Sequence, residues 1–187
     1  SHSMSAIPDT TTRLKDGTTI TIRTARPEDA RRLLDHARAA FAEGEFLLST
    51  LDDFRMTEEQ ETAWLQANLD DPSNLVIVAE YEGRITGMLD FHSEKRKRVR
   101  HHGELGMSVN RAWRDRGVGR ALLRTLIAWA EQHPVLEKLC LQVFATNTRA
   151  IALYSSLGFE EEGRQVRDIK LESGEYVDVL MMALFVK

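Results

Sequence analysis

The sequence predicts a mixed α/β domain of about seven strands and four helices, and three observations carry that prediction. Short β-branched runs bounded by Gly, Asp and Pro recur along the chain. Between them lie stretches whose apolar residues return every three or four positions, the mark of amphipathic helices. No linker-like composition or internal repeat divides the chain, so one domain is expected over residues 4–187. Its 187 residues, 42% hydrophobic and 29% charged, suffice for one core and lie far from the composition of disordered chains.

Taken in order, residues 18–24 (Thr-Thr-Ile-Thr-Ile-Arg-Thr) follow the turn pair Asp16-Gly17 and predict an opening strand. Pro27 starts a helix that runs to Ala42, with Glu28 and Asp29 in a first turn where negative charge suits the helix dipole. Thr57 and Gln60 stand at capping-box spacing before a second helix over 57–69. The intervening residues 43–56 mix apolar and acidic residues without a period, and no element is assigned there. Residues 75–79 and 84–91 form a hairpin through Glu82-Gly83, and a charged loop over 93–102 leads into a strand over 103–109. A helix over 117–132 stops before Pro134, a strand follows over 138–144, and a helix over 148–157 ends at Gly158. Strands over 159–167 and 176–186 complete the chain.

Several function classes are excluded early. The lone Cys140 forms no internal disulfide and supplies no cysteine-based zinc site, which favours a reducing, cytoplasmic setting. No apolar run approaches the roughly 20 residues that span a bilayer, so no membrane role is expected. A net charge of −4 argues against a general nucleic-acid binder. Ser1-His2-Ser3 ahead of Met4 reads as a cloning scar and receives no functional weight.

The strongest chemical signal is the stretch 109–122, Val-Asn-Arg-Ala-Trp-Arg-Asp-Arg-Gly-Val-Gly-Arg-Ala-Leu. A strand ends at Val109, an arginine-rich turn follows, and Gly117 and Gly119 open a helix whose apolar face is Val118, Leu122, Leu126 and Ala130. The first N–H groups of a helix lack internal partners and sit at the positive end of its dipole, so Gly117, Val118, Gly119, Arg120 and Ala121 form an anion-binding start. Arg114, Arg116 and Arg120 add positive charge where a diphosphate would sit. A nucleotide P-loop is excluded because no Gly-Lys-Ser/Thr follows, and a dinucleotide fingerprint would need Gly or Ala at Leu122. Two glycines in a tight turn with solvated arginines would be the bland reading of the same residues.

The spacing Arg114-x-x-Gly117-x-Gly119 after a strand, followed by the helix-bearing run 147–159 (Asn-Thr-Arg-Ala-Ile-Ala-Leu-Tyr-Ser-Ser-Leu-Gly-Phe), resembles the GCN5-related N-acetyltransferase (GNAT) family. The element order resembles it over about residues 19–186, with the specific motifs between 103 and 159. That resemblance implies a central mixed, mostly antiparallel sheet, acetyl-CoA as cosubstrate, and direct acetyl transfer to an amine in a ternary complex. It implies that the glycine loop cradles the cosubstrate diphosphate and that Asn147 contacts the pantetheine arm. Asn147 equally suits a helix N-cap. Tyr154 shares a helix face with Ala150, Ile151 and Leu157 and should point inward; the resemblance gives its hydroxyl the protonation of the departing thiolate.

Strand alternation over 103–109 places Glu104, Gly106 and Ser108 on one face. A lone carboxylate beside small residues makes a groove with an acid at its floor. An ammonium must lose a proton before it attacks a thioester, so Glu104 suits a base; pairing with an arginine across the sheet is the structural alternative. Backbone N–H groups near Met107 and Val109 would meet the oxyanion, as the family's splayed strand implies. The family builds much of its acceptor site between the first two helices, which makes Glu43, Glu45 and Phe46 the candidate substrate contacts. The acceptor class stays open between a small-molecule amine and a protein N-terminus, and the resemblance also implies a homodimer as one assembly. A different function class, an acyl-CoA-binding sensor without turnover, would keep the loop and lose Glu104 or Tyr154.

Three further features carry less. The run 95–100 reads as a solvated hairpin tip rather than a nucleic-acid contact, since no aromatic residue interrupts it. His101 and His102 are expected on opposite faces of a strand, unable to share an ion, and no metal is expected. Cys140 reads as a small core residue.

Overall fold

The computed structural model describes residues 5–187; the expected cloning scar at 1–3 lies outside the described residues. Eight strands form one sheet in the order β1-β2-β3-β4-β5-β6-β8-β7. They are β1 (Thr10–Arg13), β2 (Thr19–Thr24), β3 (Asn74–Tyr81), β4 (Arg84–Ser93), β5 (His102–Val109), β6 (Lys138–Phe144), β7 (Glu160–Lys170) and β8 (Tyr176–Phe185). The helices are α1 (Ala30–Glu43), α2 (Glu58–Leu69), α3 (Val118–Gln132) and α4 (Thr148–Ser156). Every strand pair is antiparallel except β5 with β6.

The mixed architecture expected from the sequence is the one observed, with one strand more. β1 is only four residues long and largely exposed, so it has no buried face to impose a pattern; it pairs with β2 across the Asp16-Gly17 turn. The Glu82-Gly83 turn is the two-residue hairpin connection expected, both residues having positive φ. Thr57 caps α2, accepting from the Gln60 N–H while the Gln60 side chain accepts from the Thr57 N–H.

Two cores flank the sheet. On one face α1 and α2 cover Val76, Val78 and Ile85 with Leu33 and Leu65. On the other, Val118, Leu122, Leu126 and Ala130, the stripe read from the sequence, are all buried against Leu75, Ile77, Leu89 and Phe91. At about 25 cal/mol per Å² of apolar surface removed from water, these two layers supply the main driving force for folding.

Two local readings are corrected, at His101 and Cys140, and the basic run keeps the solvated turn expected of it. His101 sits in the turn before β5, and its ring meets that of His102 edge-on at 5.0 Å, so the pair does not alternate across a strand. Cys140 is half-buried on the sheet face away from the α3 core rather than inside a core. In the basic loop Lys95 is anchored to Asp71 at 2.6 Å, while Arg96, Lys97, Arg98 and Arg100 are exposed.

Candidate active site

The parallel pairing of β5 with β6 ends at Glu104 and Cys140. Past that point β5 continues to Val109 beside β4, and β6 continues to Phe144 beside β8, so the two strands part. Their facing backbone edges lose their ladder, and backbone groups so exposed are ready partners for an extended ligand. A cleft of about 1120 Å³ opens in the gap.

Its floor and walls collect most of the residues singled out in the sequence. Glu43, Glu45, Phe46, Glu104, Met107, Val109, Arg114, Gly117, Val118, Gly119, Arg120, Asn147 and Tyr154 all line it. Arg116 and Ala121 do not. Arg116 turns away to Asp16 at 2.8 Å and lies over the Trp113 ring at 3.9 Å, and both it and Ala121 line a neighbouring cavity.

The start of α3 is built for an anion. Gly117 caps the helix at φ 100°, a left-handed conformation that favours glycine, and its carbonyl accepts from the Ala121 N–H. That leaves the N–H groups of Val118, Gly119 and Arg120 at the positive helix end without an internal partner. Gly119 has a second reason to lack a side chain: a Cβ there would stand 3.2 Å from Leu153 and 3.3 Å from Met107, where α4 and β5 press on the loop. Asn147 caps α4, its side chain accepting from the Ala150 N–H at 3.3 Å, while also lining the cleft.

Two ionisable groups face the gap with shifted affinities for protons. Partial desolvation at the cleft, with Asp90 and Glu94 nearby, pushes the exposed Glu104 carboxyl upward. No arginine, lysine or histidine among the described residues pairs with it, so the cross-sheet ion pair weighed from sequence is not formed. Burial alone pushes the Tyr154 hydroxyl up to about 12; its ring packs against Phe159 at 5.9 Å. Arg114 and Glu43 form an ion pair across the mouth of the cleft.

Sequence reasoning did not find His36. This α1 residue is 6% exposed, and its Nε2 lies 2.9 Å from the Ser108 hydroxyl on the cleft wall. Its Nδ1 is buried without a hydrogen-bond partner among the described residues, and burial pushes its pKa down. The residues are 72 positions apart, and only their shared place between α1 and β5 joins them. Asp90 and His92 pair at 2.6 Å on β4, where His92 stands opposite Glu104. No group of three or more His, Cys, Asp or Glu among the described residues could hold a metal ion.

The family model described as "Acetyltransferase (GNAT) family" matches residues 30–159, which contain both the glycine loop and α4. The chain belongs to the GNAT acetyltransferase family. It is 31% identical over 164 residues to the L-amino acid N-acetyltransferase AaaT of Escherichia coli, covering 88% of this chain and 96% of that protein. A GNAT acetyltransferase from Streptococcus pneumoniae superposes with a TM-score of 0.85 at 31% identity, over 89% of this chain and 99% of the other. YncA of Salmonella typhimurium, solved with acetyl-CoA, gives a TM-score of 0.78 at 24% identity over 90% and 94% of the two chains. As a GNAT member this chain is an acetyltransferase, and no helix among its described residues is long and apolar enough to cross a membrane.

Proposed function

We propose that this GNAT protein moves an acetyl group from acetyl-CoA directly to the primary amine of a small acceptor, an L-amino acid being the class named for the Escherichia coli relative. The observation that carries the reading is Glu104, an unpaired carboxylate of raised pKa at the point where β5 and β6 part, in one cleft with the Tyr154 hydroxyl.

The residues fit the cosubstrate. The free N–H groups of Val118, Gly119 and Arg120 would hold the diphosphate, with the Arg114 guanidinium beside them. The open edge of β5 at Met107–Val109 and the Asn147 side chain would hold the pantetheine arm. Acetyl-CoA supplies an activated acyl group at the thioester.

Glu104 takes the proton of the incoming ammonium, so that the amine lone pair attacks the acyl carbon. Its raised pKa strengthens it as a base. Backbone N–H groups near Met107 and Val109 meet the negative charge that develops on the acyl oxygen. As the carbon–sulfur bond breaks, Tyr154 gives its proton to the sulfur, and the second proton that the nitrogen loses as the amide forms passes through water to the Tyr154 oxygen. A hydroxyl with a pKa of about 12 stays protonated throughout the working range. Glu43, Glu45 and Phe46 sit at the acceptor side, where the Glu43–Arg114 pair would exchange for contacts to the substrates.

A thiol-release assay with acetyl-CoA tests this across a panel of L-amino acids and short peptides. Turnover with free amino acids, reduced roughly 10²-fold in Tyr154→Phe, is the expected result. Turnover on peptide N-termini alone would overturn the acceptor class. Acetyl-CoA binding without turnover on any amine would replace the enzyme by an acyl-CoA sensor.

A further inference from the structure

One polar pair at the cleft wall has no task in the acetyl transfer derived above. His36 of α1 is 6% exposed, its Nε2 lies 2.9 Å from the Ser108 Oγ, and its Nδ1 is buried with no hydrogen-bond partner among the described residues. A ring nitrogen stranded in this way costs free energy that an aliphatic side chain would avoid. That cost has a return if the ring sets the direction of the Ser108 hydroxyl, which lines the cleft and makes no other hydrogen bond among the described residues.

The direction follows from the tautomer. Burial disfavours the imidazolium, so one ring nitrogen carries hydrogen and the other does not. An orphaned buried N–H is a rare defect, which puts the hydrogen on Nε2, where Ser108 accepts it, and leaves Nδ1 an unused lone pair. The Ser108 backbone also favours hydrogen on the ring, and Nε2 is the nitrogen beside Ser108. With His36 donating to its oxygen, the Ser108 hydroxyl is left to donate its own proton into the cleft.

Ser108 shares with Glu104 the face of β5 that looks toward α1, whereas Met107 and Val109 on the other face pack against the α3 core. Four strand residues separate the two Cα atoms by roughly 13 Å. An extended Glu104 side chain, an α-amino acid and the hydrogen bonds at its two ends bridge that span, ammonium to Glu104 and carboxylate to Ser108. We infer that the Ser108 hydroxyl, oriented by His36, donates to the α-carboxylate of the acceptor, so that the cleft selects free amino acids over simple amines. Ser108 is then a specificity-determining contact and His36 its positioning residue. The inference rests on the amino-acid reading above and deepens it: Glu43, Glu45 and Glu104 suit an ammonium, and Ser108 supplies a donor for the acid end.

The ratio of kcat/KM between an L-amino acid and the amine left by its decarboxylation measures this selection, with leucine and 3-methylbutylamine as the first pair of a series. Wild type is expected to prefer the amino acid at least about tenfold, the worth of a hydrogen bond to a charged group. Ser108→Ala is expected to lose most of that factor through a higher KM for the amino acid. His36→Gln, whose amide can still donate to Ser108, should keep the preference and His36→Phe should lower it, a difference that packing alone does not produce. Nitrogen NMR of the wild-type imidazole should show hydrogen on Nε2 at neutral pH. The same preference in wild type and Ser108→Ala, or hydrogen on Nδ1, would overturn the inference while leaving acetyl transfer to an amine in place. Turnover of no member of either series would overturn both.

Discussion

Asp29 and Glu104 are both carboxylates in contact with the same sheet, yet their surroundings push them in opposite directions. Asp29 is 1% exposed and receives two bonds from Arg23 at 2.8 Å, one from the Arg26 N–H at 2.7 Å and one from Arg32 at 2.6 Å. Burial raises its proton affinity, but the hydrogen bonds and the two guanidinium charges outweigh that and hold it below the usual carboxylate range. Glu104 is exposed to the cleft, yet the protein flanking it removes part of its solvation, and its charged neighbours Asp90 and Glu94 are of the same sign, so it moves up. Full satisfaction makes the first a structural ion; lack of partners leaves the second free to exchange a proton.

That contrast breaks first at Glu104. Glu104→Gln removes the base without changing the size of the side chain, and turnover is expected to fall roughly 10²–10⁴-fold. Because Glu104 makes no ion pair, the melting temperature of the variant should stay close to that of wild type. A variant that melts early and keeps its turnover would reverse the assignment. The same residue sets the pH dependence. The reaction needs the carboxylate form, so the rate should fall with acid along a limb placed above the ordinary glutamate range. Glu104→Gln should flatten that limb; a limb unchanged in the variant would assign it to another group.

Asp29→Asn tests the other side and should leave the chemistry alone. It strips Arg23, 4% exposed, of a bidentate partner, and breaking one half of a buried pair costs about 3–5 kcal/mol. Denaturant unfolding would read this loss. The pH sign follows from the lowered folded pKa: the contribution of Asp29 is complete above its unfolded value and is lost as pH falls through its folded value. Wild type and variant should therefore converge in stability in acid; a constant gap would show that the loss is steric.

The two sites also differ in how far they were legible in the sequence. The strand-turn-helix spacing of Gly117 and Gly119 and the alternation that puts Glu104 opposite the core are local patterns, and both survive in the structure. So does the inward face of Tyr154, 7% exposed. What escaped depends on side chains that meet across long chain distances. Asp29 read as a helix-dipole residue, and nothing near it in sequence announces Arg23 of β2 and Glu80 of β3 as its neighbours in one ion cluster. The same holds for His36 with Ser108, and for Arg116, whose partner Asp16 lies 100 positions away. Local patterns specify which face a residue takes; pairing across faces appears only once the sheet order is fixed.

Glu80 is the smallest and sharpest test, because it belongs to the same cluster as Asp29 while its side chain is 25% exposed. It accepts from Arg23 Nε at 2.9 Å and lies 3.8 Å from Arg32. In Glu80→Gln the amide oxygen still accepts from Arg23, the Asp29 contacts remain, and water reaches the site, so the expected loss is about 1 kcal/mol, as for a partly solvated pair. A thermal melt beside that of Asp29→Asn decides the matter. If burial and complete pairing make the structural ion, the Glu80 variant must be clearly the milder of the two. An equal loss would mean that the net charge of the cluster, rather than the satisfied geometry at Asp29, holds α1 to the sheet, and the distinction drawn from Glu104 would then have to rest on the local sign of charge alone.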